Sequence, residues 1–129
     1  MPKIKLETGV PTPSGSSITD KWVIYKGDRV DEVPAGERFD IYAKGVAKNP
    51  GALTWEVLMT AVSVDGNIAV YDTADAYGGT YNTPSMKLDS LPEGNFELPV
   101  MPNHDITIRI KLWGNDKRGQ DVPPPDQWM

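Results

Sequence analysis

The sequence predicts an all-β, antiparallel β-sandwich, and three observations carry that prediction. From His104 to Trp113, Ile106, Ile108, Ile110 and Leu112 fall on every second position with Thr107, Arg109 and Lys111 between them, the period of a strand with one dry face and one wet face. Glycine and proline number 12 each in 129 residues, a load that suits short strands joined by tight turns and not helices. No window of the chain carries an apolar stripe at helical spacing.

The elements follow in order. Lys3 to Thr8 is predicted as a short first strand with Ile4 and Leu6 on one face. Gly9 to Ser17 is a flexible linker or edge-crossing loop, since its prolines cannot donate to a ladder and its glycines cost order. Ile18 to Tyr25 resumes the strand pattern, with Trp22 and Ile24 on one face and Val23 and Tyr25 on the other, and Lys26-Gly27-Asp28 is a turn. A second turn at Val33-Pro34-Ala35-Gly36-Glu37 delivers the chain into a strand from Arg38 to Ala43 with Phe39, Ile41 and Ala43 inward, which Asn49-Pro50-Gly51 terminates.

Leu53 to Val64 is the longest apolar run. Leu53, Trp55, Val57, Met59 and Ala61 lie on one side and Leu58, Val62 and Val64 on the other, so its second half is expected to be covered on both faces as the central strand. Asp65-Gly66 then reads as a type I′ hairpin turn, because both residues tolerate positive φ, and Asn67 to Thr73 returns antiparallel. Ala74 to Pro84 is expected to be the longest surface loop, followed by short strands at Met86 to Leu88 and Asn95 to Val100. The total is about eight strands at sandwich spacing, with strand order open. Residues 1–17 form an N-terminal strand and arm, 18–120 the sandwich, and 121–129 a Pro-rich tail.

Composition narrows the function classes. A single domain of this length buries roughly two thirds of its unfolded surface. The absence of cysteine excludes disulfide frameworks, thiolate catalysis and cysteine-ligated zinc. Formal charge is −5, with the basic residues scattered, which argues against nucleic acid as a partner. Met1 to Thr8 lacks the apolar stretch of a secretory signal and no later segment could span a bilayer. The expectation is a chain made in a host cytoplasm that stays there or leaves within a larger particle, with no membrane insertion.

Two stretches resemble immunoglobulin-like modules of bacterial and archaeal surface proteins and of phage or virus particles. Val33 to Gly66, with its Pro-Ala-Gly-Glu turn, inward Phe39 and Ile41, Asn49-Pro50-Gly51 turn and Asp-Gly hairpin, is similar to the centre of adhesion-related sandwich domains. Gly94 to Leu112, with Met101-Pro102-Asn103-His104-Asp105-Ile106-Thr107 leading into the last strand, is similar to the closing strands of cell-surface repeats. The resemblance implies an immunoglobulin-like sandwich. A single copy followed by a Pro-rich tail fits a free-standing accessory subunit better than a fragment of a long adhesin.

No residue set reads as catalytic. His104 is the only histidine and adjoins Asp105, but the serines at 14, 16 and 17 lack a nucleophile elbow; a turn residue opening the last strand explains it, and no enzyme is expected. Asp65, Asn67, Asp72 and Asp75 offer hard oxygen ligands but match no calcium loop, and neither metal nor cofactor is assigned. Tyr71, Tyr77 and Tyr81, with Gly78 and Gly79 between the last two, form either an aromatic platform for a partner or a glycan, or a lid on the sandwich edge.

The tail is the most suggestive segment. Pro123, Pro124 and Pro125 stiffen it into polyproline II, and Val122, Trp128 and Met129 give it apolar anchors, so it either folds back onto its own sandwich or docks on a neighbour. The leading expectation is a structural, decorating subunit of a larger assembly, most simply a virus or phage particle, bound to a coat or shell protein or to copies of itself. A glycan- or cell-surface-binding module is the alternative.

Overall fold

The structure, a computed structural model, describes residues 1–8, 15–63, 65, 67–92 and 97–116. Among them are nine strands and no helix: β1 (Ile4–Thr8), β2 (Ser17–Tyr25), β3 (Asp28–Val30), β4 (Asp40–Lys48), β5 (Trp55–Ser63), β6 (Ile68–Ala76), β7 (Thr80–Asn82), β8 (Met86–Lys87) and β9 (Ile106–Asp116). They form a four-stranded sheet, β1-β9-β5-β6, and a five-stranded sheet, β3-β2-β4-β7, with β8 also paired to β4.

Alternation decides which side chains meet between the sheets. From the first sheet Val57, Met59 and Ala61 of β5 and Ile106, Ile108, Ile110 and Leu112 of β9 enter one core with Val23, Ile41, Ala43 and Ala47 of the second. β5 is interior to its sheet, between β9 and β6, and both its faces are covered beyond Glu56. Leu53 departs from the predicted pattern: it precedes the strand and is 96% exposed.

Two glycines set how closely the sheets approach. A Cβ on Gly45 of β4 would collide with the Ser17 carbonyl and come within 2.7 Å of a Leu112 methyl. One on Gly114 of β9 would collide with the Lys48 carbonyl and lie 3.0 Å from Pro50 Cδ. β4 runs to Lys48 and stops where Asn49-Pro50-Gly51 is expected to terminate it, with Gly45 inside the strand demanded by packing.

Several expectations are corrected. β1 pairs with β9 in parallel, with Ile4 opposite Ile106 and Leu6 opposite Ile108, so the sheet is not wholly antiparallel. The start of β1 is fixed beside the start of β9: Lys3 N donates to Asp105 Oδ1 at 2.9 Å and Ile106 N donates to the Lys3 carbonyl at 2.9 Å.

The type I′ turn sits at Lys26-Gly27, with φ of 51° and 83°, closing the β2–β3 pair at Tyr25 and Asp28. At the β5–β6 hairpin the described ladder closes on Ser63 and Ile68, and positive φ falls on Asn67 and not on Asp65. Ser63 Oγ donates to Asp65 Oδ1 at 2.7 Å, a local bond that holds Asp65 without the left-handed backbone.

The predicted long loop from Ala74 to Pro84 is mostly strand. β6 continues to Ala76, with Ala74 and Ala76 extending the inward alternation, and β7 pairs with β4, so only residues 77–79 cross from one sheet to the other. The predicted strand at Asn95 to Val100 is reduced, among the described residues, to single bridges from Glu97 to Ile68 and from Val100 to Arg38. Asn95 and most of the Gly9 to Ser17 linker lie outside the described residues, as does the tail.

Candidate functional site

The strongest candidate is the pole of the sandwich where β5 begins and β6 ends. Leu53, two residues before Trp55, is 96% exposed, and Tyr77, one residue after Ala76, is 79% exposed. Trp55 and Ala76 are cross-strand partners, so the two side chains leave the fold at neighbouring points.

The loops that carry them are braced. Asn49 N donates to the Gly79 carbonyl at 3.2 Å, and Asn49 Nδ2 donates to the Gly78 carbonyl at 3.2 Å. Asn49 Oδ1 accepts from Gly51 N at 2.8 Å and from Ala52 N at 3.0 Å, an Asx-type closure of the turn. One side chain thus ties both loops together and satisfies backbone groups that would otherwise need water. A contact made through this tip therefore requires little further ordering, the usual source of cost in loop-mediated binding.

The three predicted tyrosines sit in different settings. Tyr81 lies on β7 and packs against the main core. Tyr71 belongs to a second cluster with Val62, Ala69 and Trp113 on the outward face of the four-stranded sheet. Of the three, Tyr77 is exposed, and Tyr71 and Tyr81 are half-buried. The remaining partner-binding candidates, Val122, Pro123, Pro124, Pro125, Trp128 and Met129, lie outside the described residues.

The alternation places Trp22 on one face with Ile24 but does not reveal its cross-strand partners. The outward face of the five-stranded sheet carries Trp22 and Tyr42 as cross-strand neighbours, their rings stacked with centroids 5.8 Å apart and planes 4° from parallel. The Arg29 guanidinium sits 4.2 Å from the Trp22 ring centroid and 3.6 Å from Asp20. Trp, Tyr and Arg are the residue types that dominate binding hot spots. Only register reveals the cluster, because the three side chains come from three strands.

The acidic residues diverge. Asp72 shares its row with Met59, which faces the core, whereas Asp75 shares its row with Glu56 on the opposite face; Asp65 is at the far end of the hairpin. Among the described residues no three potential ligands cluster. Burial pushes the Asp72 carboxyl above its ordinary range, with the charge of Asp89 adding to the effect. The Ser63 hydroxyl holds Asp65 below that range.

His104 is exposed, with Nδ1 3.0 Å from the Asp105 carbonyl, and Asp105 is engaged by Lys3. Ser16 Oγ accepts from Lys48 N at 3.0 Å, beside Gly114 near the end of β9. His104 precedes the start of β9, so the length of that strand separates it from Ser16 and the two cannot form a proton-transfer pair. Searches against protein-family models, curated proteins and solved structures find no match to this chain.

Proposed function

We propose that this chain is a non-enzymatic structural or decorating subunit of a larger assembly, with a virus or phage particle the first candidate, and that it seats Leu53 and Tyr77 in an apolar pocket of a neighbouring subunit. The observation that carries this reading is the braced tip. An aliphatic side chain at 96% exposure and a tyrosine at 79% contribute nothing to the core, yet one asparagine fixes both loops that bear them. A buried aromatic or aliphatic anchor on a rigid support is what a stable interface needs at its centre. The immunoglobulin-like assignment rests on the resemblance of Val33–Gly66 and Gly94–Leu112 and belongs to the same proposal.

The test is the double substitution Leu53→Ala/Tyr77→Ala. Both side chains are largely in water, so stability should change by no more than about 0.5 kcal/mol. If each anchor contributes about 2 kcal/mol to the interface, association with the assembly should weaken by roughly 1,000-fold. Unchanged co-sedimentation of the double variant with the native particle would place the contact elsewhere.

A further inference from the structure

The segment that follows β8 crosses from one sheet to the other between Leu88 and Ser90. Leu88 is 1% exposed and its N–H donates to the Ile41 carbonyl of β4 at 2.9 Å. Ser90 is clasped to β6: Tyr71 N donates to the Ser90 carbonyl and Ser90 N donates to the Tyr71 carbonyl, each at 2.9 Å. β6 is an edge strand of its sheet, so this clasp covers its backbone at Tyr71. The pairing is antiparallel, and a pair that exchanges both bonds is flanked by pairs whose side chains stand closer together. Asp72 is thereby set opposite Asp89, on one side of the sheet.

Like charges directly opposite one another weaken a strand pair, and no described cation offsets these two. Asp72 is half-buried and Asp89 is exposed. On β5 the row neighbour of Asp72 is the uncharged Met59. The described ion pairs, Lys5–Glu7, Arg29–Asp20, Lys87–Asp40 and Arg109–Glu7, include neither carboxylate. Lys87, two residues before Asp89, is engaged by Asp40.

We propose that residues 88–90 form a pH-sensitive strap: with Asp72 protonated its clasp on β6 is tight, and with Asp72 and Asp89 both charged it opens more readily and uncovers the edge backbone of β6. The direction of titration agrees. Burial, with the charge of Asp89 adding to it, raises the Asp72 carboxyl above its ordinary value of 3.8, so the folded chain keeps that proton at pH values where the unfolded chain has released it. The stabilisation is therefore full below the ordinary value and is lost as pH rises through the raised one. At neutral pH the strap is in its weakened state.

Amide hydrogen exchange of the full chain, resolved residue by residue by NMR, reads the clasp directly. At neutral pH, Asp72→Asn and Asp89→Asn should each raise the protection of the Tyr71 and Ser90 amides about three- to fivefold, while Leu88, held by the other sheet, should not change. At about pH 4 the gain from Asp72→Asn should shrink to less than half, because Asp72 of the unsubstituted chain is then largely protonated as well. Asp28→Asn, which removes an exposed carboxylate from β3, controls for net charge and should leave both amides as they are. Asp89→Asn alters a side chain in solvent and decides the matter should Asp72→Asn perturb the fold. Unchanged protection of Ser90 in Asp89→Asn, an equal gain in Asp28→Asn, or a gain in Asp72→Asn that persists in full at about pH 4 would each overturn the proposal.

Discussion

Gly114→Ala is expected to destabilise the fold by about 3 kcal/mol, the upper end of the range for overpacking a well-filled interior. The added methyl has no flexible neighbour to displace. Its contacts are the Lys48 carbonyl, part of a strand backbone, and Cδ of Pro50 at 3.0 Å, part of a rigid ring. Relief therefore requires the sheets to separate locally at the pole where Asn49 braces the two loops. For a domain of this size the melting temperature should fall by roughly 10 °C, and urea denaturation should report the loss through the midpoint with the slope unchanged. Gly79→Ala is the control: nothing lies within 4 Å of its Cβ position and it has no positive φ, so its effect should stay within about 0.5 kcal/mol. Equal effects at the two glycines would show that close approach of the sheets is not what Gly114 serves.

Ile110→Ala is expected to destabilise by about 4 kcal/mol, the loss of three buried carbons plus the cavity they leave. Ile110 is 0% exposed and lies at the middle of β9, opposite Ala61 on one side and Thr8 on the other. β9 packs on both β2 and β4, so two sheets would have to move together to close the void. Ala61 is too small to fill it. Arg109→Ala, one residue away, removes an exposed side chain whose only described ion pair, to Glu7 at 3.5 Å, is at the surface, and such pairs are worth about 0–1 kcal/mol. Denaturant titration of the two variants should separate them clearly, and similar midpoints would contradict the placement of β9 in the core.

The parts of this fold legible in the sequence were those written in alternation. Ile106 to Leu112, Phe39 to Ala43 and Trp55 to Val62 each declared a face, and each faces as declared. Features set by pairing across the chain were not legible. Nothing local distinguishes a parallel from an antiparallel partner for Ile4 and Leu6, because both registers bury the same side chains; the bonds of Lys3 to Asp105 and Ile106 decide it. Gly78 and Gly79 make residues 74–84 read as a loop, although β6 runs to Ala76 and β7 starts at Thr80, so only 77–79 cross between the sheets.

The candidate site was legible in part. Tyr77 was identified from its glycine-rich context, but Leu53 was assigned to the strand because it continued the apolar run. Its exposure comes from the Asn49-centred turn, which holds residues 49–52 out of the ladder and so starts β5 two residues later. The Arg29, Trp22 and Tyr42 cluster needs three strands in register, which no pattern within one strand announces.

The central claim, that this chain is a subunit of a larger assembly, is tested most directly by sedimenting it from its native source and identifying the pelleted and soluble fractions by mass spectrometry. Stoichiometric recovery in the pellet with a coat-type protein is the predicted result. Recovery as a free monomer would contradict it.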